Sequence, residues 1–266
     1  MSSWIEWGLA GLLGLVIGSF LNVVIVRLPR MLECKPSQAE DAPYSLAQPA
    51  SHCPACLTPL AWRDMWPLIS FLMLRGRCRH CGVGLSWQYP AVEAMTALWF
   101  VIMTAWLGNT ATAWCWAIWG AALIALAFID ARTQYLPDIL TQPLCWAGLL
   151  ASSLGWLSVD LQSAVWGAVI GYGLLWAVAL AYRLLKGVEG MGAGDFKLLA
   201  ALGAWLGWQN ISMLVLLASV MGIAHGLLRP RARRELSPHF PFGPSLCLAA
   251  VVILFWGHGQ PVLPLI

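Results

Sequence analysis

Charge is scarce in this chain: 10% of its 266 residues are Asp, Glu, Lys or Arg, against 60% hydrophobic, and the mean hydropathy is +0.73. That balance excludes an ordinary water-soluble domain and implies a polytopic membrane protein. No basic stretch precedes the first apolar run, Trp4 to Val26, so that run is expected to be an uncleaved first span rather than a signal peptide. Neither a Ser-His-Asp constellation nor a His-Glu-x-x-His motif is present, which removes serine and zincin-type proteolysis. No glycine-rich nucleotide fingerprint follows a predicted strand, which excludes a soluble Rossmann-like domain. The span centres are nearly uncharged, leaving little from which to build the buried ionisable path of a transporter or channel.

The few positive charges are ordered. Every Lys and Arg falls into one of four clusters: Arg27 to Arg79, Arg132, Arg183 to Lys197, and Arg229 to Arg234. Loops without basic residues lie between them, around Asn109, Asp160 and Trp208-Gln209-Asn210. The positive-inside rule places the clusters in the cytoplasm and the intervening loops outside. The net charge of +3 is thereby accounted for by topology and lipid contact, with no call for a nucleic-acid partner; the Arg229–Arg234 run reads as a topology anchor beside lipid headgroups. Eight apolar segments follow: Trp4 to Val26, Pro90 to Leu107, Thr112 to Ile129, Ile139 to Gly155, Leu161 to Tyr182, Phe196 to Leu206, Ile211 to Leu228 and Phe242 to Trp256. The sixth is short for a ~30 Å hydrocarbon core. The expected fold is an all-α polytopic membrane protein with about eight transmembrane segments and both termini outside. Many of the 17 tryptophans stand near segment ends, as in interfacial belts. Gly11, Gly14, Gly18 and Ser19 give the first segment a small-residue face, Gly167, Gly171 and Gly173 mark the fifth as closely packed, and Asn22 reads first as interhelical glue.

One hydrophilic insertion divides the chain into a first helix (1–26), a cytoplasmic metal-binding insertion (27–89) and a membrane-embedded domain (90–266). Within the insertion, Cys53-Pro54-Ala55-Cys56 and Cys78-Arg79-His80-Cys81 are separated by 21 residues. Two such pairs suit the tetrahedral preference of Zn²⁺ in a closed structural site, Cys53, Cys56, Cys78 and Cys81 being the ligands. Disulfides are the alternative, which a reducing cytoplasm disfavours. His52 and His80 adjoin the ligands as spare neighbours. Residues 35–50 read as a flexible loop, and Cys34, Cys115, Cys145 and Cys247 as small apolar residues.

The chemistry gathers at Glu189-Gly190-Met191-Gly192-Ala193-Gly194-Asp195-Phe196-Lys197, a glycine-dense interruption between two apolar runs. Glycines there let the backbone bend, turn left-handed or lie against a substrate strand. Asp195 reads either as the N-cap of the helix that follows or as a catalytic carboxylate. Asp130, closing the apolar run Trp114 to Ile129, supplies a second acid at a second membrane border. Asp138, after Pro137, reads as a helix cap. Two carboxylates close enough to repel hold one proton between them, so that one activates water while the other donates to the scissile carbonyl.

Gly192-Ala193-Gly194-Asp195 resembles the Gly-x-Gly-Asp motif of intramembrane aspartyl proteases. With Asp130 and Asp138 spaced Asp-x7-Asp, the chain resembles the bacterial type IV prepilin peptidase/N-methyltransferases. The likeness extends through Gly18-Ser19-Phe20-Leu21-Asn22, Arg27-Leu28-Pro29, the two Cys-x-x-Cys pairs and Tyr89-Pro90-Ala91-Val92-Glu93. It implies Asp130 and Asp195 as the catalytic pair, with Gly192 and Gly194 as motif backbone beside it. It further implies a bacterial inner-membrane enzyme that cuts basic leaders from prepilin and pseudopilin precursors at the cytoplasmic face, at a Gly-hydrophobic junction. Methylation of the new amino terminus with S-adenosylmethionine would follow; Glu93 is the polar candidate for that donor's site. Val26 stands where the family often has His, and Gln88 where a basic residue is common, both bearing on the cytoplasmic insertion. The competing classes are a transporter or channel carrying a zinc-ribbon insertion and a non-catalytic secretion assembly factor.

Overall fold

The computed structural model describes residues 3–33, 45–188, 191–228 and 241–258. Cys34, most of the 35–50 loop, Glu189-Gly190 and the Arg229–Arg234 run lie outside the described residues. Among those described there is no β-strand, only two isolated bridges. Helices stand at all eight apolar segments: α1 (Ser3–Glu33), α3 (Gln88–Leu107), α4 (Ala111–Thr133), α5 (Asp138–Ser153), α6 (Leu161–Lys186), α7 (Ala193–Leu206), α8 (Ile211–Leu228) and α9 (Gly243–His258). A short 3-10 turn (Trp62–Met65) and α2 (Ile69–Met73) belong to the insertion. Five helical stretches are long and apolar enough to cross a membrane: α1, α3, α4, α6 and Trp208–Leu228. The chain is an all-helical, polytopic membrane protein. α5, α7 and α9 are shorter, at 16, 14 and 16 residues; at 1.5 Å per residue, α7 is about 21 Å long.

The chain forms two compact units, Met1–Ala125 and Leu126–Ile266, with the boundary inside α4. In the first unit α1 packs along α3. A Cβ on Gly14 would lie 2.7 Å from the Ala97 Cα, and one on Gly18 2.8 Å from the Glu93 Cα, so the small face of α1 is what lets the two backbones approach. Asn22 seals the same seam, its Nδ2 donating to the carbonyls of Gly18 (3.3 Å) and Tyr89 (3.0 Å). α1 runs well past the span read from sequence, and the buried Arg27 donates to the carbonyls of Ser45 and Leu46 within the insertion.

In the second unit α7 is the central element, packed against α5, α6 and α9. From Phe196 to Leu206 every residue but Lys197 is buried. Gly167 of α6 and Gly203 of α7 meet backbone to backbone, leaving no room for a side chain on either, while Gly173 faces open space and so takes no part in the packing expected of it. Not every tryptophan faces outward: Trp99, Trp116, Trp119 and Trp205 are core residues, while Trp4, Trp106, Trp146, Trp156, Trp208 and Trp256 are exposed. The indole N–H of Trp99 donates to the Trp116 carbonyl and that of Trp205 to the Leu144 carbonyl, which satisfies their polar ends inside.

Candidate active site

Asp130 ends up 4% exposed, in the last turn of α4. Its Oδ2 accepts the backbone N–H of Gly243 at 2.9 Å. Gly243 is the first residue of α9, so the positive end of that helix lies against the carboxylate. The approach requires a glycine: a Cβ at 243 would sit 2.7 Å from Oδ2 and 3.1 Å from the Asp130 Cγ. Asp195 lies in the first turn of α7, three residues inside the cap position Gly192. It therefore does not cap the helix. Among the described residues no hydrogen bond reaches its carboxylate, and its charged neighbour is Asp130, which acts on it electrostatically. Two acids 65 positions apart in sequence thus share one neighbourhood within a single compact unit.

Neither motif glycine holds a left-handed backbone, and only Gly194 is required by space. Gly192 has φ −75° and ψ 145°, open to any residue, and no atom lies within 4 Å of a Cβ placed there. Gly194 is helical, and a Cβ on it would come 2.9 Å from the Cβ of buried Leu136. The turn from Asp130 to Asp138 is thereby pressed against the start of α7. Gln134 takes φ +54° in that turn, and its N–H donates back to the Asp130 carbonyl at 2.9 Å. Asp138 is the first residue of α5, one past the cap position Pro137, and makes no capping bond. Both its oxygens instead accept from Lys197 Nζ at 2.7 Å. This ion pair pins the other end of the turn to α7.

The sequence marks nothing at Gly243, and Cys247 reads there only as a small apolar residue. Pro241-Phe242-Gly243-Pro244 is a legible helix start, yet nothing in it tells which group the first N–H will meet. Cys247, one turn further along α9, is buried and lies within electrostatic reach of both aspartates.

In the insertion, Cys53, Cys56, Cys78 and Cys81 converge with all four Sγ within 4.8 Å of one another. Cys53 and Cys81 sulfurs are 3.8 Å apart, and those of Cys56 and Cys78 4.0 Å, against about 3.8 Å for a tetrahedron of Zn–S bonds. The two knuckles repeat one turn. Leu57 N–H donates to the Cys53 carbonyl and Cys53 N–H to that of Thr58; Gly82, Cys78 and Val83 do the same. Leu57 (φ +57°) and Gly82 (φ +71°) hold the same left-handed position. Hydrogen bonds from the side chain and backbone of Thr58 pull Cys56 down to about 6, and those from the Cys81 and His80 backbones lower Cys78. Cys81 is instead pushed up to about 11, against a lowering hydrogen bond from the Val83 backbone, by burial and by its sulfur neighbours Cys78, Cys56 and Cys53. The convergence of the four sulfurs is what fits a metal ion. His52 and His80 are exposed, with His52 Nδ1 beside the Ala50 carbonyl, and neither belongs to the converging set.

Glu93 is buried in α3, and its Oε2 accepts the N–H of Leu68 at 2.8 Å, at the start of α2. It ties the insertion to the helix. That engagement gives the carboxylate an anchoring role.

Comparison with known proteins bears on all of this. Residues 12–107 match the bacterial peptidase A24 N-terminal domain, and residues 117–227 the type IV leader peptidase family. The prepilin leader peptidase/N-methyltransferase of Aeromonas salmonicida (strain A449) is 45% identical over 271 residues, covering 96% of this chain and 92% of its own. The proteins so named from Dickeya chrysanthemi and Pseudomonas aeruginosa are 46% and 42% identical, each across more than nine-tenths of this chain and 93% and 89% of their own. No solved structure matches. With both characteristic regions present in order and identity sustained end to end, the chain belongs to the type IV leader peptidase family.

Proposed function

We propose that this protein cleaves the basic leader from prepilin and pseudopilin precursors and then methylates the new amino terminus, with Asp130 and Asp195 as the catalytic pair. The observation that carries the assignment is their convergence: two acids from different helices, one held by the α9 N-terminus and the other with no hydrogen-bond partner among the described residues. One carboxylate takes a proton from water as its oxygen attacks the scissile carbonyl carbon. The other gives a proton to the carbonyl oxygen. Collapse of the tetrahedral intermediate breaks the C–N bond, and the departing amine carries the returned proton. The pair titrates as a unit, so neither acid is assigned a fixed starting state.

S-adenosylmethionine would supply an electrophilic methyl group to the freed amine, the S–CH3 bond breaking to leave the neutral thioether and the amine losing a proton to water. Glu93 is the polar candidate for that donor's site, with its Oε2 held by the Leu68 N–H. Zn²⁺ held by Cys53, Cys56, Cys78 and Cys81 would be structural, with no coordination position left for chemistry. The charge clusters support an orientation with the insertion and both aspartates at the cytoplasmic face of the inner membrane, and with eight crossings. The shorter α5, α7 and α9 would cross where the protein itself surrounds them.

The test is cleavage of a purified precursor with a Gly-Phe junction by wild type, Asp130→Asn and Asp195→Asn, with mass spectrometry of the product's amino terminus. Each substitution is expected to lower cleavage at least ~10³-fold without loss of helical content. The wild-type product should be heavier by one methyl group when S-adenosylmethionine is present. Cleavage that survives either change would overturn the pair.

A further inference from the structure

We propose that Trp62–Met73, at the core of the insertion, is a membrane-surface foot seated by its apolar face among anionic lipid headgroups. Trp62, Met65, Trp66, Ile69, Leu72 and Met73 are all exposed, Leu72 at 71% and Met73 at 78%. So dense an apolar surface on a hydrophilic insertion marks a contact with something other than water. The residues are also organised. Ile69, Leu72 and Met73 are spaced i, i+3, i+4 and share one face of α2, while Phe71 turns the other way, is buried, and packs on the Trp87 ring at 5.1 Å. Trp62 and Trp66 extend the apolar face with ring centroids 6.1 Å apart.

The position of this face selects its partner. Leu68, immediately before α2, donates its N–H to Glu93 Oε2, and Glu93 lies in the second turn of α3, one of the candidate spans. Trp87, which precedes that span, holds Phe71. α2 is therefore fixed at the level where α3 enters the bilayer. Arg63, Arg75 and Arg77 flank the apolar residues and are exposed, whereas the acidic Asp64 is taken up by Arg79 at 2.7 Å. Tryptophan and aliphatic side chains with a basic fringe are the composition of an interfacial segment attracted to anionic lipid.

The experiment places the photoreactive residue p-benzoylphenylalanine at Leu72 in the full-length protein, in vesicles of phosphatidylethanolamine and phosphatidylglycerol. Ile118, exposed on the spanning helix α4, and His80, exposed beside the cysteine cluster, are the reference positions. Lipid adducts at 72 are expected within a few-fold of those at 118 and about tenfold above those at 80. Adducts to a second copy of the chain or to an added pilin precursor would overturn the proposal, as would absence of lipid adducts where Ile118 gives them. Should the Leu72 variant fail to fold, read by its helical content and thermal unfolding, the same probe at Trp66 decides by the same criteria.

Discussion

Gly243 contributes no side chain, yet its N–H is the hydrogen-bond donor to Asp130 and its missing Cβ is what admits the carboxylate. Alanine there cannot be absorbed by a flexible neighbour, because the nearest atoms belong to Asp130 itself. A displacement of about 1 Å at a reacting group costs up to ~10²-fold in rate. Gly243→Ala is thus expected to lower the cleavage rate ~10- to 100-fold with little change in substrate KM. The motif glycines should separate in the same assay: Gly194→Ala, which meets Leu136, is impaired, and Gly192→Ala, which meets nothing, stays near wild type. Had both failed alike, backbone conformation rather than space would be their reason. At this scale the aspartates were legible, since an acid at the end of an apolar run is conspicuous. Gly243 was not, because a contact across 113 positions leaves no local mark on sequence.

Among the elements, α7 decides the geometry of the site. It carries Asp195, presents Gly194 to Leu136, and reaches Asp138 through Lys197. The Lys197–Asp138 pair is part-exposed, at 28% and 56%, and such pairs are worth ~1 kcal/mol or less. A double-mutant cycle on Lys197→Met and Asp138→Asn, read by thermal unfolding in detergent, should give a coupling of that order. Asp138→Asn should keep most of the cleavage activity; a loss matching that of Asp130→Asn would move the catalytic role to Asp138. The sequence had made Asp138 a helix cap, one residue off, because the Pro-Asp signal locates a helix start but not the partner of the acid.

In the insertion, the Arg79 guanidinium hydrogen-bonded to Asp64 holds that carboxyl below its ordinary value. A carboxyl depressed on folding stabilises above its unfolded value near 4, and the benefit is lost as pH falls through the lower folded value. Thermal unfolding of wild type and Asp64→Asn should therefore differ at pH 7 and converge in acid. A difference that grew on acidification would show the sign to be wrong.

At the scale of the whole molecule, the cysteine cluster lies entirely in Met1–Ala125 and the aspartate pair entirely in Leu126–Ile266. Metal analysis should find about one zinc per chain, lost on double substitution of Cys53 and Cys78 by Ser. That loss should destabilise the insertion and lower cleavage far less than Asp130→Asn does. Equal losses would mean that the two units do not stand independently.

Composition alone determined that the chain is helical and membrane-embedded, because a backbone in lipid must satisfy its own hydrogen bonds. Residue type singled out the four converging cysteines and the two acids, since Cys-x-x-Cys pairs and carboxylates at the ends of apolar runs are local signals. What only the tertiary structure decided was which distant groups meet: Gly243 against Asp130, Leu136 against Gly194, Lys197 on Asp138 and Glu93 on Leu68. Those contacts depend on how helices of similar hydrophobicity pack, which turns on van der Waals fit between surfaces far apart in the chain. A pattern of apolar residues carries little of that information.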